Sequence, residues 1–331
     1  MAAQQRLIWF RRLSLVAAGL AFCVVVLGAW VRLTDAGLGC PDWPGCYGHV
    51  FPQADVGVHF GKALHEMIHR YFALSLGMMI STLLIWAGVN RRDSGQPLIP
   101  VSILFVLVCF QGALGAFTVT LLLKPLIVTA HLLGGLSTLS LLAWLALWPP
   151  RGDLSTSEKP LQLWALCGAA VLLIQLSLGG WTSTNYAAVA CPDFPTCQGS
   201  WWPHMDFSDA FVLWRGLGID FEGGVLAHPA RVAIHFTHRL GALFTGTTIL
   251  SLGIASAMRA KTTRLEIAGI LLCFSVVLQI AIGIATVHWA LPLALATLHN
   301  AGAAIVVLCM VNLIRCLWPT PRVGMGALQG S

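Results

Sequence analysis

The chain has 331 residues, of which 57% belong to the set AVILMFWYC and only 10% are Asp, Glu, Lys or Arg. Soluble domains carry about 25% charged residues, so a soluble enzyme, a disordered chain and a nucleic-acid binder are excluded. The net charge of +6 is spread over short loops rather than gathered in one stripe, which suits membrane topology and not a phosphate-binding surface.

A helix crossing a membrane needs about 20 apolar residues. Eight such stretches are predicted in chain order, at 13–33, 67–88, 99–122, 126–148, 163–183, 233–256, 265–287 and 292–317. The first is too long for a removed signal peptide and lacks a small-residue cleavage site. With the N-terminus inside, twelve Lys and Arg fall on the cytoplasmic side, Arg11, Arg12, Arg151, Lys159 and Arg322 among them. Seven fall outside, including Lys62, Lys124 and Arg215. The expectation is an all-α membrane protein with both termini cytoplasmic. Two long loops, 34–66 and 184–232, then face outward, where disulfides persist if the membrane is a bacterial inner membrane.

These two loops repeat each other. Cys40-Pro-Asp-Trp-Pro-Gly-Cys46 matches Cys191-Pro-Asp-Phe-Pro-Thr-Cys197 at an offset of 151 residues. Trp30 and Trp181 each precede the first cysteine by ten residues. The second span carries His69-Arg70 and the sixth carries His238-Arg239; the fourth carries His131 and the eighth His299. Gln111 and Gln279 each stand twenty residues before the later histidine of their half and are expected to bond across helices. Between cysteines and histidine the second copy is 18 residues longer. The chain therefore reads as two four-helix halves of like orientation, 1–150 and 151–331, with one site in each.

The four repeated histidines lie in otherwise apolar stretches near the outer helix ends. An ionisable group there is costly and marks function. Two imidazoles from facing helices can hold an iron porphyrin on both axial sides, and an apolar bundle supplies its pocket. No Cys-x-x-Cys-His motif is present, so covalent haem attachment is not expected. Two non-covalent bis-histidine haem sites are inferred. Arg70 and Arg239 either pair haem propionates or snorkel to the interface.

Glu66 lies three residues before His69, on the same helix face, whereas His235 occupies that place before His238. A carboxyl beside one haem could move protons or orient water; the alternative is a glutamate in solvent at a helix end. The asymmetry suggests one haem held for electron transfer and one acted upon. His65 is expected to support the site rather than bind iron. The loop cysteine pairs read as structural disulfides, redox-active dithiols or, least, a zinc site, whose usual spacing is shorter. Cys23, Cys109, Cys167, Cys273, Cys309 and Cys316 read as small apolar fillers. His49, His59, His204 and His228 are expected in solvated loops, and His288 directly after the seventh span. Trp43, Trp201 and Trp202 suit an interfacial aromatic belt.

Taken together, the cysteine loops, Glu66-x-x-His69-Arg70, His131, His238-Arg239-Leu-Gly-Ala and His299 resemble the haem A synthase family over residues 13–317. That resemblance implies oxidation of the C8 methyl of haem O to a formyl group, giving haem A for cytochrome oxidase. Successive hydroxylations would give a gem-diol that loses water, with oxygen from water or from dioxygen. It further implies substrate haem between His69 and His131 with Glu66 as catalytic carboxylate, resident haem b between His238 and His299, and disulfides Cys40–Cys46 and Cys191–Cys197. Implied partners are the bilayer, the farnesyltransferase that makes haem O and an electron acceptor; assembly into a homo-oligomer is a further expectation. The rival readings are a dihaem b-type cytochrome taking electrons from quinol, which leaves Glu66 unexplained, and a thiol–disulfide exchanger, which leaves the histidines idle.

Overall fold

In a lipid phase every backbone N–H and C=O must be satisfied within the chain, and a helix does this segment by segment. The computed structural model describes residues 2–53, 60–93, 95–148 and 159–318. Nine helices are present there: α1 (Ala3–Leu33), α2 (Phe60–Val89), α3 (Leu98–Thr120), α4 (Pro125–Ala146), α5 (Lys159–Thr184), α6 (Phe207–Ala210), α7 (His228–Arg259), α8 (Thr263–His288) and α9 (Leu293–Leu317). All but α6 are long and apolar enough to cross a membrane, so the chain is an all-α multi-pass membrane protein. The described residues contain no strand, only isolated bridges between Cys46 and His49 and between Cys197 and Ser200.

Local sequence sets several helix starts. Pro125 and Pro229 occupy the first turns of α4 and α7, where a missing N–H costs nothing. Thr262 caps α8 by accepting from the Leu265 N–H. Non-glycine residues in the left-handed region recur at matching turns: Asp35 and Tyr186 after α1 and α5, Leu122–Leu123 and Ala290–Leu291 after α3 and α8.

The two largest buried apolar clusters sit at one end of the molecule, and smaller ones lie around the disulfide loops at the other. One buried cluster joins Phe10, Ala17 and Ala21 of α1 to Ile80 and Leu83 of α2, Leu104 of α3 and Leu139, Leu142 and Leu145 of α4. A second joins Leu161 and Ala165 of α5 to Leu252 of α7, Leu272 of α8 and Met310 and Leu313 of α9. Both lie toward the end that carries the start of α1. All four repeated histidines lie beyond these clusters, toward the other end.

The two halves meet through α1, α4, α5 and α9. Arg32 donates to the Ser183 carbonyl at 2.8 Å, and the Tyr186 hydroxyl donates to Asp35 at 2.9 Å. Each of these pairs is 151 residues apart, the offset that relates the two cysteine loops. The longer second loop reaches across to the first half. There Phe221 N–H donates to Leu122 O at 3.1 Å, and buried Lys124 donates to the Arg215 and Gly216 carbonyls beneath the Trp214 ring.

Candidate haem sites

Each repeated histidine occupies its own helix: His69 on α2, His131 on α4, His238 on α7 and His299 on α9. All four are half-buried. His69 lies within electrostatic range of His131, and His238 of His299, so the structure brings together the pairs expected from the repeat.

A glycine makes room for every ring. A Cβ at Gly28 would lie 3.0 Å from His69 Cε1, one at Gly179 3.2 Å from His238 Cε1, and one at Gly283 2.8 Å from His299 Cε1. Gly115 stands more loosely, at 3.6 Å from His131 Cε1. Sequence reasoning missed these glycines, although Gly28 and Gly179 share the offset of the cysteine loops.

Nδ1 of His69, His131 and His299 is buried without a hydrogen-bond partner. Buried, unpartnered ring nitrogens on glycine-backed histidines, brought within electrostatic range in pairs between the large apolar clusters and the disulfide loops, suit a bis-histidine macrocycle site. The residues present therefore fit haem.

Glu66 is 4% exposed, which removes the solvent reading. Its Oε2 accepts the Cys40 N–H at 2.9 Å, and its Oε1 accepts from Arg70 at 2.5 Å. His235 takes the same place in the second half: its Nδ1 accepts the Cys191 N–H at 3.2 Å, and Arg239 lies 3.3 Å from its Nε2.

The two arginines are committed to the cysteine loops. Arg70 donates to the carbonyls of Asp42, Pro44 and Gly45 at 3.0, 3.2 and 2.6 Å. Arg239 donates to those of Cys191, Asp193 and Thr196 at 2.7, 2.7 and 2.9 Å. Both guanidiniums thus pin a disulfide loop against the helix carrying the histidine. These partners are backbone atoms, which leave no signature in sequence.

Cys40–Cys46 and Cys191–Cys197 are disulfides. Within each loop the aspartate of the motif ties the turn: Asp42 accepts from Tyr47 and Gly48 N–H, and Asp193 from Gln198 and Gly199 N–H. Thr196 also donates to Asp193. Asp193 is held down to about 2, first by the Thr196 hydroxyl and then by the Gly199 N–H. Desolvation pushes Asp42 up, but the Gly48 and Tyr47 N–H bonds and the Arg70 charge outweigh it, so it lies below the usual carboxylate range.

The remaining expectations divide. His65 stacks edge-on against Trp30 at 6.3 Å, near the site but among aromatics. Gln279 bonds across helices to the His299 carbonyl at 2.9 Å, whereas the Nε2 of Gln111 has no partner. His49 and His204 are exposed in loops as expected; exposed His228 instead opens α7, and His288 ends α8. Among the six other cysteines, Cys23, Cys109 and Cys167 are exposed on helix surfaces rather than filling cores. His59, Arg151 and Arg322 lie outside the described residues.

Fold and site define a class: a polytopic membrane protein with two histidine pairs, each beneath a disulfide loop. The family of cytochrome oxidase assembly proteins (COX15-CtaA) matches residues 11–311. "Heme A synthase" of Shewanella oneidensis is 41% identical over 95% of this chain and 97% of its own. "Heme A synthase" of Caulobacter vibrioides is 27% identical over 88% and 90%. The chain belongs to this family, the haem A synthases.

Proposed function

We infer that the first half, about residues 1–150, holds the substrate and the second, 151–331, a resident haem b, in a chain that works as a haem A synthase. The activity is oxidation of haem O to haem A, an oxidoreductase reaction of haem A biosynthesis. In the finer reading the C8 methyl becomes the formyl group. The observation that carries the division is the unequal surroundings of two otherwise matching histidine pairs, Glu66 against His235.

His69 and His131 would hold the iron of haem O, and His238 and His299 that of haem b. Bound haem b would supply a one-electron store beside the substrate. Glu66 is buried one helical turn from His69 and is the group to accept a proton there. Arg70 balances its charge and fixes its position. With Arg239 it holds the disulfide loops over the sites, and guanidinium N–H groups not used on the loops remain for propionates. The placement proposed is a bacterial inner membrane with both termini cytoplasmic, taking haem O from the farnesyltransferase that makes it and passing electrons to a separate acceptor.

The deciding experiment is acid-acetone extraction of haem from purified protein, with the haems identified by chromatography and mass. Haem b together with haem O or haem A is expected. Two equivalents of haem b alone, even with haem O co-produced, would overturn the division and favour a dihaem cytochrome.

A further inference from the structure

A glutamine amide lies across three of the four histidine-bearing helices, always over the glycine three residues after the histidine. Gln111 fills the gap at Gly134, Gln175 that at Gly241 and Gln279 that at Gly302. A Cβ at these glycines would stand 1.7, 2.4 and 2.2 Å from the amide, so only glycine admits it. His69 lacks the arrangement. Phe72 stands three residues after it, and Val24 occupies the position 151 residues before Gln175.

The bonds single out His238. Gln175 Nε2 lies 3.0 Å from His238 Nδ1 and donates to the His238 carbonyl at 3.1 Å. Gln279 Nε2 lies 3.4 Å from His299 Nε2 and donates to the His299 carbonyl at 2.9 Å. In the other half, Nδ1 of both His69 and His131 is buried without a partner, as is the Gln111 amide nitrogen. Nδ1 of His299 is likewise without a partner, so His238 is the one repeated histidine whose Nδ1 lies against an amide, while His69 has no glutamine over its helix at all.

We propose that Gln175 is a positioning residue for the haem ligand His238, and that Val24 and Phe72 in the other half leave His69 the loosest of the four ligands. The proposal rests on the bis-histidine reading of both sites. A ligating imidazole whose second nitrogen is hydrogen-bonded keeps its ring orientation and tautomer, and losing that bond costs about 10–100-fold in affinity. A glutamine amide serves either tautomer, because it carries a donor and an acceptor at one end. An unheld ring must be ordered again at each binding event. A resident haem gains from the lock. A site that admits haem O and releases haem A gains from its absence, and the exchange takes place on the His69 side.

The test is haem release to excess apomyoglobin from purified protein loaded with haem b, with H69A and H238A assigning the release phases. In the wild type the first-half site is expected to empty faster. Gln175→Val should speed release from the second half by about tenfold or more and shift that haem's midpoint potential, leaving the first-half phase alone. Gln175→Glu should keep release slow. Val24→Gln with Phe72→Gly should slow the first-half phase by about tenfold. The reciprocal variant decides the matter if Gln175→Val does not fold. The proposal is overturned if Gln175→Val leaves both release and potential unchanged, or if the reciprocal change leaves the first-half phase unchanged. If the wild type holds no histidine-ligated haem, the underlying reading fails instead.

Discussion

The two halves build one cap in two ways. In the first, the N–H of the leading loop cysteine is accepted by a carboxylate, Glu66; in the second, by an imidazole, His235. Each acceptor is buried and each contacts the arginine four residues on. A backbone N–H needs only a lone pair, and the second half shows that a histidine suffices. Burying a carboxylate is the costlier solution, since it must be paired to be tolerated. Glu66 is thus more than the cap requires, and the surplus is a carboxylate, paired with Arg70, beside one histidine pair only.

The hardest test of the comparison removes a ligand. His238→Ala or His299→Ala should strip the second-half haem and abolish haem A formation while leaving the disulfide loops closed. Spectra of purified protein check this, and full haem content in both variants would break the assignment. Next comes an exchange between the halves, Glu66→His. The cap should persist, because the imidazole accepts the Cys40 N–H as His235 accepts that of Cys191. Haem should still bind, but haem A yield should fall by about 100-fold or more, the usual worth of a positioned proton acceptor. A near-normal yield would make the carboxylate dispensable.

A smaller effect separates two glycines. An added Cβ meets His299 at 2.8 Å from Gly283, but His131 only at 3.6 Å from Gly115. Gly→Ala ordinarily favours a helix interior by about 1 kcal/mol. Gly283→Ala should nonetheless weaken haem retention by about tenfold by pushing the ring that must face the metal, and Gly115→Ala should leave it unchanged. Equal behaviour of the two variants, read as haem occupancy after detergent washing, would show that the glycines do not set the rings.

The spans and histidine pairs were legible because apolar length and a repeated order survive without geometry. Helix ends were not. α1 begins at Ala3 rather than 13, α2 at Phe60 rather than 67, and α7 at His228 rather than 233. Each extension contains charged groups outside the apolar stretch, such as Arg11, Lys62 and Arg231. Glu66 sits in a helix because its partners are in reach: Arg70 one turn on and the Cys40 N–H across the cap. The loop-pinning work of Arg70 and Arg239 was hidden because it is spent on carbonyls. Gln175 was hidden for another reason: a search for repeats passes over a residue whose counterpart is Val24.

The smallest predicted effect concerns the loops themselves. Asp193 titrates at about 2 in the folded loop, held down first by Thr196 and then by the Gly199 N–H. A carboxyl lowered on folding contributes stability that is complete above its unfolded value, near 4, and is lost as pH falls through the folded value. Between about pH 4 and pH 2 the second loop should therefore loosen. The signal is faster hydrogen exchange at the Gln198 and Gly199 amides, which donate to Asp193. Asp193→Asn should lose this extra acid sensitivity, since an amide does not titrate in that range. The first loop should show the same sign, as Asp42 is also lowered, with the nearby Arg70 charge contributing there. If acid protects these amides, or if the asparagine variant keeps the full pH response, the aspartate is not what ties the turn. The common cap of the two halves would then rest on the arginine clamps and disulfides alone.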